Sequence, residues 1–144
     1  MGLFSKFKKQ SGDTAHQRSA KLTVIGHTKL TDKAARISFA VPEELKASFA
    51  FKAGQYLNLH CPVNGTLLNR SYSICSGKNE PLSVAVKAIE NGTASNWLVH
   101  SLKEGDTLEV DFPTGNFSVD TGATQHVAFA AGSGITPILY VSGN

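Results

Sequence analysis

Several features that mark membrane, secreted and metal-binding proteins are missing from this sequence. Its 144 residues contain no apolar run of the ~18 residues that a membrane-spanning helix needs. The N-terminus has no apolar run long enough for a secretory signal, so we expect a cytoplasmic protein with no transmembrane segment. The two cysteines, Cys61 and Cys75, have no CxxC or Cys/His spacing. We therefore expect buried, reduced thiols and no zinc or iron–sulfur ligands in this chain.

Positive charge is scarce outside the N-terminal segment. The net charge is +3, but residues 1–21 hold five basic residues and one acidic residue. The remainder holds nine basic and ten acidic residues. A near-neutral body argues against a nucleic-acid-binding barrel, which needs a basic face. We expect residues 1–20 to be a flexible basic tail, and a short amphipathic helix at a membrane surface or partner is the alternative.

Short segments of alternating polarity dominate the rest of the chain. Ile37, Phe39 and Val41 alternate with smaller or polar residues, a period of two that predicts a strand. Strands are predicted at residues 22–28, 35–41, 56–61, 70–76, 82–89 and 107–112. One helix is predicted at residues 93–102, where Trp97 and Leu98 share a face. Six short strands with this spacing predict an all-β fold, a closed or nearly closed antiparallel barrel capped by one helix.

The pattern changes after Pro113. Residues 126–131 form a continuous apolar run, typical of a strand buried on both faces. A glycine-containing turn and a helical segment follow this run. Strand, glycine turn and helix open a βαβ unit. We therefore expect residues 121–144 to be the first strand and helix of a second, truncated α/β domain.

The first motif that carries chemistry is Arg70-Ser71-Tyr72-Ser73, on a predicted strand. A guanidinium beside a tyrosine ring can hold a phosphate and stack against a flat heterocycle. A neighbouring hydroxyl can bind an edge atom of that ring. The alternative is an exposed arginine and a half-buried tyrosine on an ordinary strand.

The second motif is Gly92-Thr93-Ala94-Ser95, at the predicted helix start. The first amides of a helix and its dipole favour an anion. Gly92 permits close approach of a phosphate, and the hydroxyls of Thr93 and Ser95 can add hydrogen bonds. The alternative is plain N-capping by Thr93.

The third motif is a glycine turn that contains Gly132, Ser133, Gly134 and Thr136. It follows an apolar strand and precedes a helix, the context that a dinucleotide-binding turn requires. Pro137 stands where the third small residue of such a turn belongs, and proline is well tolerated in the first turn of a helix. The alternative is a structural β–α turn.

Taken in order, the three motifs resemble the ferredoxin–NADP reductase superfamily. The resemblance covers roughly residues 21–142. Four segments carry a similarity to the reductase subunits of phenylacetyl-CoA epoxidase and related flavin and [2Fe-2S] oxygenase systems: residues 51–57, 71–75, 83–90 and 130–137.

This resemblance implies an FAD-binding Greek-key barrel over residues 21–120, followed by the truncated NAD(P)-binding domain. It implies an NAD(P)H-dependent oxidoreductase that takes hydride onto FAD and passes electrons singly to an iron–sulfur or oxygenase partner. FAD suits the two phosphate-binding motifs better than FMN. A [2Fe-2S] centre is expected only in a longer protein, and this chain alone is expected to be incomplete for turnover. The alternative is a non-enzymatic β-barrel interaction module with a degenerate flavin site.

The resemblance also implies a role for each site residue. Arg70 would pair with the pyrophosphate, Tyr72 would pack against the isoalloxazine, and Ser73 would bind near N5. Tyr72 and Ser73 are therefore the catalytic candidates. The implied cofactor-binding set is Arg70, Ser71, Tyr72, Ser73, Val86, Lys87, Gly92, Thr93, Ala94, Ser95 and Thr136. The implied nicotinamide-binding set is Gly132, Ser133, Gly134 and Thr136.

Overall fold

Six β-strands and two α-helices form the part of the chain that the computed structural model describes, residues 18–77, 79–117, 122, 129 and 132–142. The elements are β1 Ser19–Thr31, β2 Ala34–Ala40, β3 Tyr56–Val63, β4 Thr66–Ser73, β5 Leu82–Lys87, α1 Thr93–His100, β6 Thr107–Asp111 and α2 Ile135–Ser142. Short 3-10 turns cover Glu43–Leu45 and Gly132–Gly134. All six predicted strands and the predicted capping helix are present.

Alternation in the sequence becomes alternation of burial in the strands. In β2, Ala35, Ile37 and Phe39 are buried, and the residues between them are only partly covered. Side chains of a strand point alternately to its two faces, so one face of β1, β2, β3, β5 and β6 fills the barrel interior. Full burial of a side chain such as Phe39 contributes about 1.5–3 kcal/mol. This interior is the hydrophobic core of the protein.

The strands pair in the order β4-β3-β6-β1-β2-β5, and every pairing is antiparallel. The sheet curls until its two ends meet just beyond β4. There Ile74 bridges to Val84 of β5, and the amide of Cys75 donates to the oxygen of Ser83 at 2.8 Å. Because β6 lies between β1 and β3, neighbours in the sheet are not neighbours in the chain. The predicted six-stranded antiparallel barrel is confirmed.

Strands β3 and β4 form a hairpin, and the turn between them sets its length. Asn64 and Gly65 both have positive φ, 50° and 76°. Two positive φ values in succession are those of a tight hairpin turn, which asparagine and glycine favour. Residues 66–69 therefore pair with β3, and β4 begins four residues before the predicted start at residue 70. These added residues are mostly exposed, so they carry no alternation that would have revealed a strand.

Helix α1 closes one end of the barrel and positions the loop before it. Ala94, Leu98 and Val99 are buried against β3 and β5. Trp97 is partly buried against the same core. His27 of β1 lies within 2.8 Å of the backbone oxygen of Leu98, a hydrogen bond that joins the helix to the sheet. The start of α1 therefore has a fixed place beside β5.

The two ends of the chain are described only in part. The predicted tail at residues 1–20 falls mostly outside the described residues, and β1 begins at Ser19. The predicted strand at residues 126–131 also falls outside them, apart from Phe129. Helix α2 follows the glycine turn, as predicted. The division of the chain into a tail, a barrel and a second domain stays a prediction. None of the described helices is long and apolar enough to cross a membrane.

Candidate functional site

A groove of about 720 Å³ lies between β4, β5 and the start of α1. It is called the β4–α1 groove below. Two of the three sequence motifs meet in it, although they lie on different elements. The residues that line it are Leu68, Arg70, Ser71, Tyr72, Ala85, Lys87, Ile89, Asn91, Gly92, Thr93, Ala94 and Ser95. Eight of the eleven residues predicted to bind a cofactor are in this set.

Arg70 and Tyr72 share one face of β4. In the register they lie opposite Leu59 and Leu57 of β3, whose side chains are buried in the barrel. Arg70 is exposed, and its Nη1 donates to the backbone oxygen of Asn69 at 2.7 Å. Tyr72 is half-buried against the core. The guanidinium therefore reaches into solvent at the groove while the tyrosine ring forms part of its wall.

The pKa of Tyr72 is raised to about 12, mainly by burial and to a smaller extent by the nearby Cys61, and Arg70 partly opposes this shift. The phenol is therefore neutral at physiological pH and keeps its O–H as a hydrogen-bond donor. A neutral, half-buried ring offers a flat apolar face with one polar end.

Ser71 and Ser73 do not share that face. The hydroxyl of Ser71 donates to Asn58 Oδ1 at 2.5 Å, and Asn58 Nδ2 donates to Asp111 Oδ2 at 3.1 Å. The other oxygen of Asp111 lies 2.6 Å from Nε2 of His60. Ser73 is the last residue of β4, pairs with Tyr56, and does not line the groove. Of the two catalytic candidates, the groove thus contains Tyr72 alone.

The start of α1 presents unsatisfied amides to the groove. Gly92 is the N-cap residue, and no side chain makes a capping hydrogen bond. Thr93 is the first helical residue, so the alternative that Thr93 is the N-cap is wrong. The first amides of an α-helix have no partner within the helix. Thr93, Ala94 and Ser95 therefore bring N–H groups and the positive end of the helix dipole to one wall.

Ser95 holds the loop that precedes its helix. Its buried hydroxyl donates to the oxygen of Gly92 and accepts from the amide of Ile89, both at 3.2 Å. A Cβ added to Gly92 would lie 2.5 Å from Ser95 Oγ and would also overlap the side chain of Ile89. The small size of Gly92 is thus required by the packing of the loop itself. A hydrogen bond from Ser95 to a phosphate stays a prediction.

Val86 and Lys87 take different places at the end of β5. Val86 is buried in the barrel core, so its side chain does not reach the groove. Lys87 is exposed and lines the groove opposite Arg70. Sequence reasoning missed Leu68, Ala85, Ile89 and Asn91 as lining residues. The signals that could have found them are the Asn64-Gly65 turn, which pairs β3 with β4, and the short connection from β5 to the helix.

The third motif is not brought to the groove. Gly132 to Gly134 form a 3-10 turn that leads into α2. Thr136 lies in the first turn of α2 and is partly buried, but it does not line the groove. The assignment of a nicotinamide site to Gly132, Ser133, Gly134 and Thr136 therefore stays a prediction.

The donor set of the β4–α1 groove has the chemistry of an anion site. Arg70 and Lys87 supply two cationic groups from the two strands that border it. The first turn of α1 adds N–H donors, and the Thr93 hydroxyl is nearby. None of the lining residues is acidic. An arginine fork and a helix N-terminus are both suited to phosphate oxygens. A phosphate-containing ligand with a flat ring fits this set, because Tyr72 lies beside the cations.

Comparison with known proteins identifies the barrel. The family model described as the oxidoreductase FAD-binding domain matches residues 21–119. The chain belongs to the FAD-binding oxidoreductase domain family. This membership confirms the predicted resemblance, and the matched residues cover the barrel from the third residue of β1 onward, including every residue that lines the groove.

Two relatives of this FAD-binding domain are components of oxygenase systems. One is a component of the 1,2-phenylacetyl-CoA epoxidase of Escherichia coli K12, 43% identical over 124 residues, which cover 83% of this chain and 35% of the relative. The other is the ferredoxin reductase component of 3-ketosteroid-9-alpha-monooxygenase from Rhodococcus rhodochrous, 39% identical over 127 residues, which cover 86% and 36%. The chain thus spans about a third of the length of these relatives.

Solved structures show the same fold. Phthalate dioxygenase reductase, a modular protein for electron transfer from pyridine nucleotides to [2Fe-2S], matches with a TM-score of 0.71 and 29% identity, over 86% of this chain and 38% of that one. A ferredoxin NADP+ reductase from Neisseria gonorrhoeae, solved with bound FAD and NADP, matches with a TM-score of 0.59 and 25% identity, over 69% and 39%. The FAD-binding domain described here is therefore a barrel of the ferredoxin reductase type.

Proposed function

We propose that this chain is the FAD-binding part of an NAD(P)H-dependent reductase that delivers electrons singly to an iron–sulfur centre or an oxygenase partner. One observation carries the proposal: Arg70, Tyr72 and the uncapped start of α1 line a single groove in a chain of the FAD-binding family. FAD, when bound, supplies the redox chemistry, because it accepts two electrons as hydride and releases them one at a time.

The diphosphate of FAD is assigned to the basic end of the β4–α1 groove. Arg70 donates from one wall and the amides of Thr93, Ala94 and Ser95 donate from the other. Lys87 adds positive charge near the same place. Charge-assisted hydrogen bonds of this kind are about twice as strong as neutral ones. In this proposal these donors hold the cofactor by its charge, so we expect FAD and FMN to bind more tightly than uncharged riboflavin.

The isoalloxazine is assigned to the end of the groove where Tyr72 lies. The half-buried ring of Tyr72 excludes water from one side of the cofactor, and its neutral O–H donates a hydrogen bond. Ser73 follows directly on β4, and its hydroxyl is placed near N5 in this proposal. Burial of Val86 leaves its backbone as the group that contacts the cofactor. These residues orient the cofactor and set its surroundings, and none of them is needed as an acid or a base.

The electron source and acceptor are proposed from the relatives. Two of them are epoxidase or monooxygenase components by name, and phthalate dioxygenase reductase acts between pyridine nucleotides and [2Fe-2S]. Cys61 and Cys75 are free and buried in this chain and lack cluster spacing. We therefore assign the iron–sulfur centre to a partner or to a further part of the protein. Free thiols fit a reducing compartment, so a cytoplasmic location is part of the proposal.

Flavin titration of the purified chain tests the proposal. We expect FAD to bind with a change in its visible absorption spectrum and its fluorescence, and to bind more tightly than riboflavin. Arg70→Ala removes a charged donor and should weaken FAD binding about tenfold or more. Lys29→Ala is the matched control, because Lys29 is exposed on β1 outside the groove. A chain that binds neither FAD nor FMN would contradict the proposal.

A further inference from the structure

One side chain ties both ends of the loop between β5 and α1. Asn96 is the fourth residue of α1. Its Nδ2 donates to the backbone oxygen of Ile89 at 2.8 Å and to that of Gly92 at 2.8 Å. The loop covers residues 88–92: Ile89 is its second residue, and Gly92 closes it as the N-cap. A single amide group therefore fixes the loop at both of its ends.

The residue type matters at this position. Asparagine is less favourable in a helix than alanine by roughly 0.7 kcal/mol, so helix propensity does not account for it. Its NH₂ group has two hydrogens, and the two loop carbonyls accept them. A carboxylate of the same shape has no hydrogen to donate, and alanine reaches neither carbonyl. The two hydrogen bonds thus require a side-chain amide.

The loop held in this way forms part of the groove wall. Ile89, Asn91 and Gly92 all line the β4–α1 groove. Asn91 has a φ of 59°, in the left-handed region that few residues other than glycine adopt. A loop with such a residue needs contacts that hold its conformation. Asn96 supplies two of them, and the Ser95 hydroxyl supplies two more.

We propose that Asn96 is a positioning residue for the phosphates of the bound flavin. Asn96 does not line the groove, so it acts through the backbone of the loop and the first turn of α1. When both loop ends are fixed, the amides of Thr93, Ala94 and Ser95 keep their direction toward the groove. The inference rests on the proposed function, and it goes beyond it by assigning a role to a residue outside the groove wall.

The proposal predicts different effects on the binding of flavins with and without phosphate. Asn96→Ala should weaken binding of FAD about tenfold, since two hydrogen bonds that order the phosphate-binding amides are lost. Binding of riboflavin, which has no phosphate, should change by less than about twofold. Asn96→Gln keeps the amide group and should recover most of the FAD affinity. His100→Ala is the control, because His100 is exposed in the same helix and away from the loop.

A measurement without flavin keeps the test independent of cofactor binding. Amide hydrogen exchange of Ile89 and Gly92, whose N–H groups are hydrogen-bonded within the loop, should be about tenfold faster in Asn96→Ala than in the wild-type chain, and exchange in β1 should be unchanged. Faster exchange throughout the barrel would overturn the proposal, because Asn96 would then stabilise the whole fold. Unchanged exchange in the loop would overturn it as well.

The binding outcomes distinguish the inference from the function on which it rests. If Asn96→Ala binds FAD as tightly as the wild-type chain, the inference fails and the proposed function stands. If FAD and riboflavin lose affinity by the same factor, the inference also fails, because Asn96 then supports the site as a whole. If the wild-type chain binds none of the flavins, the proposed function fails and the inference fails with it.

Discussion

The hydroxyl of Ser71 donates a hydrogen bond of 2.5 Å to Oδ1 of Asn58, the residue opposite it on β3. Asn58 in turn donates to Asp111 of β6, which lies beside His60. Three neighbouring strands are thus joined by polar side chains on the outer face of the barrel. This network helps to hold β4, the strand that carries Arg70 and Tyr72, in register with β3.

Asn58→Ala should therefore destabilise the barrel. The substitution removes the acceptor of the exposed Ser71 and the donor to the half-buried Asp111, and we expect a loss of about 1 kcal/mol in the free energy of unfolding. Urea denaturation of the purified chain measures it. Asn69→Ala is the control, because Asn69 is exposed on the adjacent strand β4. Equal losses for the two variants would show that the polar network contributes nothing.

Gly92→Ala should disturb the loop before α1. The added Cβ would lie 2.5 Å from Ser95 Oγ and would also meet Ile89, so the loop must shift. Overpacking of this kind costs about 1–3 kcal/mol. We expect that loss in thermal or urea unfolding, together with weaker FAD binding.

A second glycine provides the control for Gly92. In Gly26→Ala the new Cβ would lie 3.5 Å from Cβ of Ser38, an ordinary contact, so stability should change little. A Gly92→Ala variant as stable as Gly26→Ala would contradict the packing argument for the loop.

The sequence predicts the elements that a local pattern of polarity marks, and it does not predict pairing between distant segments. The sequence predicts strand β2 closely because Ile37 and Phe39, both buried, alternate with smaller or polar residues that are only partly covered. The first half of β4 was missed because both of its faces are largely exposed. The placement of β6 between β1 and β3 depends on pairing between distant segments, and no local pattern encodes it.

The candidate groove was predicted through residue types with distinctive chemistry. Arg70 and Tyr72 stand out on a strand, and a glycine followed by small polar residues stands out at a helix start. The internal hydrogen bonds of Ser95 and Asn96 were not predictable. A hydroxyl or an amide can bind a loop carbonyl or a ligand, and only the path of the backbone decides between them.

Substitutions of Tyr72 should separate its ring from its hydroxyl. In the proposed site the ring packs against the cofactor, so Tyr72→Phe should keep FAD affinity within about threefold. Tyr72→Ala removes the ring and should weaken binding by about tenfold or more. Flavin fluorescence titration measures both. Equal losses for the two variants would assign the effect to the hydroxyl and contradict the stacking role.

The buried thiol of Cys61 should make stability fall at alkaline pH. Burial raises its pKa from 9.0 to about 11, against a smaller opposing effect of Arg70. In the unfolded chain the thiol ionises near pH 9, whereas in the folded chain it stays protonated. The folded state therefore holds more protons between these pH values, and its stability is lost as the pH rises from about 9 to 11.

Urea unfolding of the wild-type chain and of Cys61→Ala across that pH range tests this. The wild-type chain should lose more stability than the variant, and the excess is the contribution of the thiol. The same burial should keep Cys61 unreactive toward a disulfide reagent at pH 8 until urea unfolds the chain, since reaction requires an accessible thiolate. The prediction would be contradicted if the free energy of unfolding of the two chains fell equally with pH. Rapid labelling of Cys61 in the folded wild type would also contradict burial of this thiol in the barrel core.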